Sequence, residues 1–174
     1  MNPSLRIEPL TADAFEPFGD VIETDGRPFH YINSQMVERY DDLARVDVRE
    51  NGGRPGISLL VAQPYSLPLR VRFVERHPLS SQAFVPLGND PFLVIVAPAG
   101  DEVAVGALRA FVTNGRQGIN YRRGVWHHVL LTLGRVTRYL AVDRIGEGPN
   151  CDKFVFPEDV QPVVDMEPLP AVTS

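Results

Sequence analysis

The chain contains a single cysteine, Cys151, so it cannot form an intramolecular disulfide. Its longest strongly apolar stretch, residues 92–98, is far too short to cross a bilayer, and residues 1–10 hold no apolar run long enough for a signal-peptide core. Basic residues number 17 against 22 acidic ones, a formal net charge of −5. Because nucleic-acid binders usually carry a basic stripe, this balance argues against a nucleic-acid partner. These absences predict a cytoplasmic protein with no membrane anchor.

Several catalytic motifs are also missing. The sequence has neither a Walker-type glycine loop for phosphates nor a dinucleotide-binding fingerprint, and its serines lack the elbow sequence of serine hydrolases. Cys151 follows a turn and has no neighbouring base in the sequence. We therefore expect a structural role for this cysteine, although a nucleophilic role stays open.

The 16 prolines and 14 glycines divide the chain into short β-branched and aromatic runs. This rhythm predicts an all-β sandwich or barrel in a single domain, residues 1–174, with an extended tail from residue 157 onward. One short helix is expected at 11–18, with Thr11 as its N-cap and Gly19 at its end. The predicted strands are 29–37, 57–63, 69–77, 83–86, 92–97, 109–113, 125–131 and 135–143.

The predicted strand at 69–77 suggests a ligand site. Side chains alternate between the two faces of a strand, so Glu75 and His77 share a face with Leu69, Val71 and Phe73. This face is apolar at one end and polar at the other, which is how a small barrel builds a site at its mouth.

Three of the four histidines, His77, His127 and His128, lie in two polar segments, 75–86 and 118–128. Imidazole can act as a base, an acid or a metal ligand near neutral pH. Neighbours on a strand face opposite sides, so only one of His127 and His128 can line the interior. We favour His127 and place His128 at a subunit contact or beside Trp126.

Several arginines lie near these segments. A carboxylate ligand needs a planar, bidentate donor, which arginine supplies best, although most surface arginines form only a solvated face. We expect one of Arg72, Arg76 or Arg122 to hold such a carboxylate.

The two polar segments resemble the two conserved signatures of cupins, H-x-H followed by a glutamate, and P-x-G-x-x-H. Here the first reads Glu75-x-His77 followed by Gln82, and the second reads Arg122-x-Gly124-x-x-His127. More closely, four runs resemble the ureidoglycolate lyase family: LTADAFEPFGD at 10–20, RHPLSSQAFVPL at 76–87, GINYRRGVWHH at 118–128 and VDRIGEGPNC at 142–151. The resemblance extends over about residues 5–168.

This resemblance implies a cupin-type jelly-roll barrel (a double-stranded β-helix) with one or two short helices, and a homodimer. It also implies elimination of urea from (S)-ureidoglycolate to give glyoxylate during allantoin breakdown in purine catabolism, with nickel or a similar divalent ion associated with the activity. The chain departs from the metal-binding cupin pattern at Glu75, which replaces a histidine, and at Gln82, which replaces the glutamate. Glu75, His77, Gln82 and His127 can still hold a divalent ion, or act without one.

Ureidoglycolate is a hemiaminal, so cleavage of its C–N bond needs a base for the hydroxyl proton and an acid for the urea nitrogen. We assign the base role to His77 or His127, and assign Glu75 to tuning the imidazole or to the acid role. Gln82 and Asn120 would bind the urea amide, Arg72 or Arg76 the carboxylate, and Tyr121 would cap the pocket. The alternatives are a metal-dependent cupin isomerase or oxygenase, and a non-catalytic cupin that binds a small acid.

Overall fold

A computed structural model describes residues 3–165 of the chain. Its regular elements are β1 (Ser4–Leu5), β2 (Ile7–Pro9), α1 (Ala12–Phe15), β3 (Gly19–Ile22), β4 (His30–Ile32), β5 (Val37–Arg39), β6 (Arg54–Ala62), β7 (Leu69–Arg70), β8 (Phe73–Arg76), β9 (Gln82–Pro86), β10 (Phe92–Ala97), β11 (Arg109–Val112), β12 (Gly118–Tyr121), β13 (Trp126–His127), β14 (Leu131–Thr132), β15 (Thr137–Ile145), β16 (Asp152–Val155) and β17 (Val163–Val164). Three short 3-10 turns, Glu50–Gly52, Val105–Ala107 and Glu158–Val160, complete the elements of the described residues. This content confirms the predicted all-β, cupin-type fold.

Two large sheets face each other. The first has the strand order β16-β8-β13-β10-β11-β2, with β14 also paired to β10, and the second has the order β3-β12-β9-β15-β6. The pairs within each sheet are antiparallel, except that β2 lies parallel to β11. A small sheet, β1-β17-β7, and the hairpin β4-β5 lie beside them.

The space between the two sheets is filled by an inner core, which comprises Leu10, Phe15, Phe18, Val21, Phe84, Phe92, Val94, Val96, Phe111, Ile119, Tyr121, Val125, Tyr139 and Ala141. Alternate residues of β10 belong to a second, outer core, which includes Leu93, Ile95, Ala97, Trp126, Phe156 and Val164. The first sheet is therefore buried on both faces, which explains the continuous apolar run of β10.

Some predicted boundaries differ from the structure. Helix α1 begins after Thr11, whose Oγ1 accepts a hydrogen bond from Ala14 N at 3.2 Å, as predicted for an N-cap. The helix ends at Phe15 instead of residue 18. The predicted strand 29–37 is instead a hairpin, because residues 33–35 adopt positive φ angles and reverse the chain.

Strands 69–77 and 125–131 are each split in two, and β3, β12 and β16 were not predicted. In the predicted tail, residues 157–160 are exposed, but Gln161, Pro162 and Val164 are buried, and Val164 of β17 lies between β1 and β7. Residues 166–174 of that tail lie outside the described residues.

Candidate active site

Glu75, His77 and His127 form a compact cluster between the two large sheets. Glu75 lies on β8 directly opposite His127 of β13, and His77 follows β8 on the same side as Glu75. One potential ligand atom from each of the three lies within 4.8 Å of those of the other two. His127 Nε2 is 3.9 Å from Glu75 Oε1, and the two imidazole rings are 5.1 Å apart between centroids. The predicted convergence of the two polar segments therefore occurs in the structure.

Both imidazoles are oriented in the same way by the backbone. Nδ1 of His77 lies 2.6 Å from Asn150 O, and Nδ1 of His127 lies 3.1 Å from Val125 O. A carbonyl oxygen only accepts hydrogen bonds, so each Nδ1 must carry the proton and donate it. In a neutral ring the Nε2 atom then holds a lone pair. This tautomer is typical of histidines that ligate a metal through Nε2.

His127 is held neutral by its surroundings. Its side chain is 2% exposed, and burial, followed by the proximity of His77, lowers its pKa from 6.5 to about 3. Among the described residues, Nε2 of His127 has no hydrogen-bond partner although it is buried. A buried acceptor without a partner is costly and calls for an explanation. A ligand bound at this atom, either a cation or a substrate proton, would be the missing partner.

Tyr121 lies flat against His127. The ring centroids are 4.1 Å apart and the planes differ by 16°. Burial, and secondly the negative charge of Glu75, raise the pKa of the Tyr121 phenol far above its usual value, so this group stays neutral. Tyr121 therefore forms a buried wall of the site, whereas the prediction placed it as a cap over the pocket.

Gln82 approaches the cluster from β9. Its Oε1 is assigned 3.2 Å from His77 Nε2. If Nδ1 alone carries the ring proton, Nε2 can only accept, and the amide would present its NH2 group to the ring instead. In this orientation the amide is a neighbour of the imidazole and leaves Glu75, His77 and His127 as the three closest ligand groups.

These three residues fit a divalent cation. Two neutral imidazoles and one carboxylate form a donor set that metals such as nickel and zinc accept, and the partnerless Nε2 of His127 points to a ligand at this position. Glu75 and His77 are only half-buried, so the cluster is open on one side. An open coordination position is what a catalytic metal site requires.

Two groups at the site were not predicted. Cys151 is exposed, and its Sγ lies 3.8 Å from Glu75 Oε2. Asn150 supplies the carbonyl that orients His77. Both belong to the run at 142–151, which looked like a turn in the sequence, and no periodicity there indicated that it would fold back onto β8.

Two predicted carboxylate-binding residues lie elsewhere. Because Arg72 and Arg76 alternate with Glu75 along the chain, they face the opposite side of the sheet. Arg76 donates to Asp152 Oδ2 at 2.9 Å and to the carbonyl of Gly100, and its guanidinium lies over the Trp126 ring. Arg72 lines a separate cavity with Arg70, Glu158 and Gln161.

Asn120 is likewise separated from Gln82. It precedes Tyr121 on β12 and so points to the outer face of the second sheet, where its Nδ2 donates to Asp20 Oδ2 and to Arg45 O, each at 2.9 Å. A cavity of about 370 Å³ near this point is lined by Asp20, Arg45, Asp47, Ser81, Arg122 and Arg123. Arg122 and Arg123 are themselves paired, with Glu16 and with Asp47 and Glu50 respectively.

The two remaining histidines lie outside the cluster. His128 is buried and stacks on Phe73, with ring centroids 5.3 Å apart. His30 is exposed on the hairpin, 3.3 Å from Asp41. The preference for His127 over His128 as the inward-facing residue therefore agrees with the geometry.

Comparison with known proteins assigns the chain to a family. The family model described as ureidoglycolate lyase matches residues 2–163. A protein named ureidoglycolate lyase from Pseudomonas paraeruginosa is 52% identical over 93% of this chain and 96% of its own length. Relatives of the same name from Stutzerimonas stutzeri and Pseudomonas entomophila are 51% and 53% identical, over 93% and 90% of this chain and 95% and 93% of their own lengths. The chain belongs to the ureidoglycolate lyase family.

Proposed function

We propose that this protein is a lyase that eliminates urea from (S)-ureidoglycolate to give glyoxylate, as a single catalytic domain acting in allantoin breakdown. The observation that carries the proposal is the pair of imidazoles whose Nδ1 atoms are fixed by backbone carbonyls and which cluster with Glu75, ligand atoms of the three residues lying within 4.8 Å of one another. Relatives that carry this name are about half identical to the chain over nearly its whole length.

The chemistry asks little of the protein beyond proton transfer. The products differ from the substrate by a broken C–N bond and a proton that has moved from the hydroxyl oxygen to the urea nitrogen. A neutral Nε2, on His77 or on His127, can accept the hydroxyl proton, and the protonated base or Glu75 can return a proton to the departing nitrogen. Each such transfer is worth about 10²–10⁴-fold in rate.

We propose Glu75, His77 and His127 as the residues that hold a divalent ion, nickel or one of similar preference. When bound, such an ion would polarise the substrate and lower the pKa of its hydroxyl group. The chain's own residues then fix the geometry: Tyr121 supports the His127 ring, and Gln82 offers an amide for the ureido group. No role in binding the carboxylate is assigned to Arg72 or Arg76, whose side chains face away from the cluster.

We also propose that the protein acts as a homodimer in the cytoplasm. On the outer face of β6, Ile57, Leu59 and Val61 are 74%, 71% and 63% exposed, and their register partners include Leu140 and Val142 of β15. A contiguous exposed apolar face on a sheet edge is typical of a subunit interface, and a second copy can cover it by two-fold symmetry. The single cysteine is consistent with a reducing compartment. In the described part of the chain, no helix is long and apolar enough to span a membrane.

The activity is tested by incubating the purified protein with (S)-ureidoglycolate and measuring glyoxylate, urea and ammonia. We expect glyoxylate and urea in equal amounts and no ammonia. Release of ammonia would indicate hydrolysis of the ureido group instead, and binding without turnover would indicate a non-catalytic module. A folded His77→Ala variant with near-normal turnover would remove His77 from the mechanism.

A further inference from the structure

Asn150 makes three hydrogen bonds to the segment that carries His77. Its backbone oxygen accepts from His77 Nδ1 at 2.6 Å, and its side-chain Oδ1 accepts from Leu79 N at 2.7 Å. Its Nδ2 donates to Ser80 Oγ at 2.8 Å. The partners precede Asn150 by 70 to 73 positions in the sequence, so this one residue joins two distant parts of the chain at the site.

The side chain of Asn150 ties the turn that carries its own carbonyl to the segment that carries His77. Residues 146–151 lie between β15 and β16 without strand pairing, and Gly148 adopts a positive φ of 85° in this turn. Residues 146–149 are exposed. The turn is also anchored by Arg144, which donates to Glu147 O at 3.0 Å, and by β16, which begins two residues after Asn150 and pairs with β8. The two side-chain bonds to Leu79 and Ser80 add the direct tie between Asn150 and the segment that carries His77.

That carbonyl determines which nitrogen of His77 carries a proton. With Nδ1–H donated to Asn150 O, Nε2 is the nitrogen through which His77 can bind a cation together with Glu75 and His127, in exchange for its contact with Gln82 Oε1 at 3.2 Å. If the carbonyl moved away, the ring would lose the backbone partner that it has among the described residues, and it could rotate or change tautomer. Residues that orient ligating histidines in this way commonly contribute 10- to 100-fold to metal affinity.

We propose that Asn150 is a positioning residue of the site, which through its side chain fixes the orientation and tautomer of His77 for cation binding. The proposal rests on the proposed metal-binding role of Glu75, His77 and His127. It gives the run at 142–151 a function, the positioning of His77, although no residue of this run belongs to the cluster.

The test compares two variants of Asn150 that differ in hydrogen bonding. Asn150→Leu has a similar size but loses both side-chain bonds. Asn150→Asp retains an acceptor for Leu79 N and offers a second acceptor to the Ser80 hydroxyl, which accepts from Asn150 Nδ2 in the structure and can donate instead. Asn114→Leu is the control, since Asn114 also closes a turn through its side chain, by accepting from Arg116 N at 2.9 Å.

Nickel affinity is measured by titration calorimetry on the metal-free full chain. We expect affinity to fall about 10- to 100-fold in Asn150→Leu and to stay within a few-fold of the original in Asn150→Asp and Asn114→Leu. A destabilised Asn150→Leu protein that keeps full nickel affinity while folded would show a merely structural role and overturn the proposal. Asn150→Asp affinity as poor as that of Asn150→Leu would equally overturn it.

A second readout separates this proposal from the proposed metal site. In nitrogen-15 NMR spectra of the metal-free protein, His77 should show protonated Nδ1 and unprotonated Nε2, and Asn150→Leu should shift it toward the Nε2–H form. If the original protein bound no nickel, but Asn150→Leu still shifted the His77 tautomer, the proposed metal site would be wrong and the positioning role would be supported. An unchanged tautomer in Asn150→Leu would overturn the positioning role whatever the nickel result.

Discussion

The ring of His127 lies parallel to that of Tyr121, at a centroid separation of 4.1 Å, and the two come from different sheets of the barrel. Together with the bond from Nδ1 to Val125 O, this stacking leaves the imidazole no freedom to turn. Its buried Nε2 therefore points permanently toward Glu75, so the site is organised before any ligand binds. Such preorganisation is what makes a catalytic group effective.

Replacing His127 with alanine should remove most of the activity. The change deletes the one buried nitrogen of the cluster that has no partner among the described residues. We expect glyoxylate release to fall by about 10²–10⁴-fold, the usual contribution of a proton-transfer group. His30→Ala is the control, because His30 is exposed on the hairpin, and should keep normal activity. Near-normal turnover by folded His127→Ala would refute the role given to this residue.

The sequence predicted which face of a strand a side chain occupies better than it predicted the ends of the strands. Alternation along β8 was enough to place Glu75 and His77 on one face, and the same rule selected His127 over His128. These predictions succeeded because side-chain direction in a strand depends only on local geometry. The same rule puts Arg72 and Arg76 on the face opposite Glu75, so the prediction that one of them binds the carboxylate beside Glu75 conflicted with it, and the structure places both away from the cluster.

The parts that were missed depend on long-range pairing. Asn120 and Gln82 are on neighbouring strands, but their register puts Asn120 opposite Ala83 and Tyr121 opposite Gln82, so the two amides face different sides of the sheet. Asn150 and Cys151 reach the cluster only because β16 pairs with β8, a contact between positions more than 70 residues apart. No local pattern encodes such a register.

Acid should destabilise the metal-free protein partly through His127. Its folded pKa of about 3 lies below the unfolded value of 6.5, so the unfolded chain binds the proton more readily, and stability is lost as the pH falls from about 6.5 toward 3. Between pH 8 and pH 5 the titration of His127 alone should lower the free energy of unfolding by about 2 kcal/mol. The buried His128, whose pKa is also lowered by burial, acts in the same direction.

The contribution of His127 is isolated by comparing urea unfolding of the original protein and of His127→Gln at the two pH values. Between pH 8 and pH 5, the free energy of unfolding should fall by about 2 kcal/mol less in the variant than in the original protein, because glutamine does not titrate. An equal loss in both proteins would show that His127 does not have the depressed pKa inferred from its burial.

Gly19 should not tolerate a side chain. It pairs with Tyr121 at the edge of the second sheet, and a Cβ built on it would lie 1.9 Å from the backbone oxygen of Asn120. Gly19→Ala must therefore displace β3 from β12, the strand that carries Tyr121, and we expect a loss of about 2–4 kcal/mol in unfolding free energy. At Gly106 a Cβ would meet nothing within 4 Å, so Gly106→Ala should be nearly neutral. Thermal unfolding of both variants checks the contrast.

The exposed apolar face of β6 should govern the assembly of the protein. Leu59 lies at the centre of this face, 71% exposed, and its register partner on β15 is Leu140. Leu59→Lys places a charge where the proposed second copy would exclude water, and an unpaired buried charge costs several kcal/mol. Light scattering after size exclusion should give a dimer for the original protein and a monomer for the variant at micromolar concentration.

The matched control is Val155→Lys, which introduces the same charge at a position that is 63% exposed on β16, the edge of the other large sheet. This variant should remain dimeric, because β16 and β6 are edges of different sheets and a two-fold contact through β6 does not require β16. If Val155→Lys were monomeric and Leu59→Lys dimeric, the interface would lie on the first sheet. If the original protein is a monomer, the proposed dimer is excluded. If Leu59→Lys is more soluble than the original protein but has the same mass in solution, the apolar face is an aggregation-prone surface and not an interface.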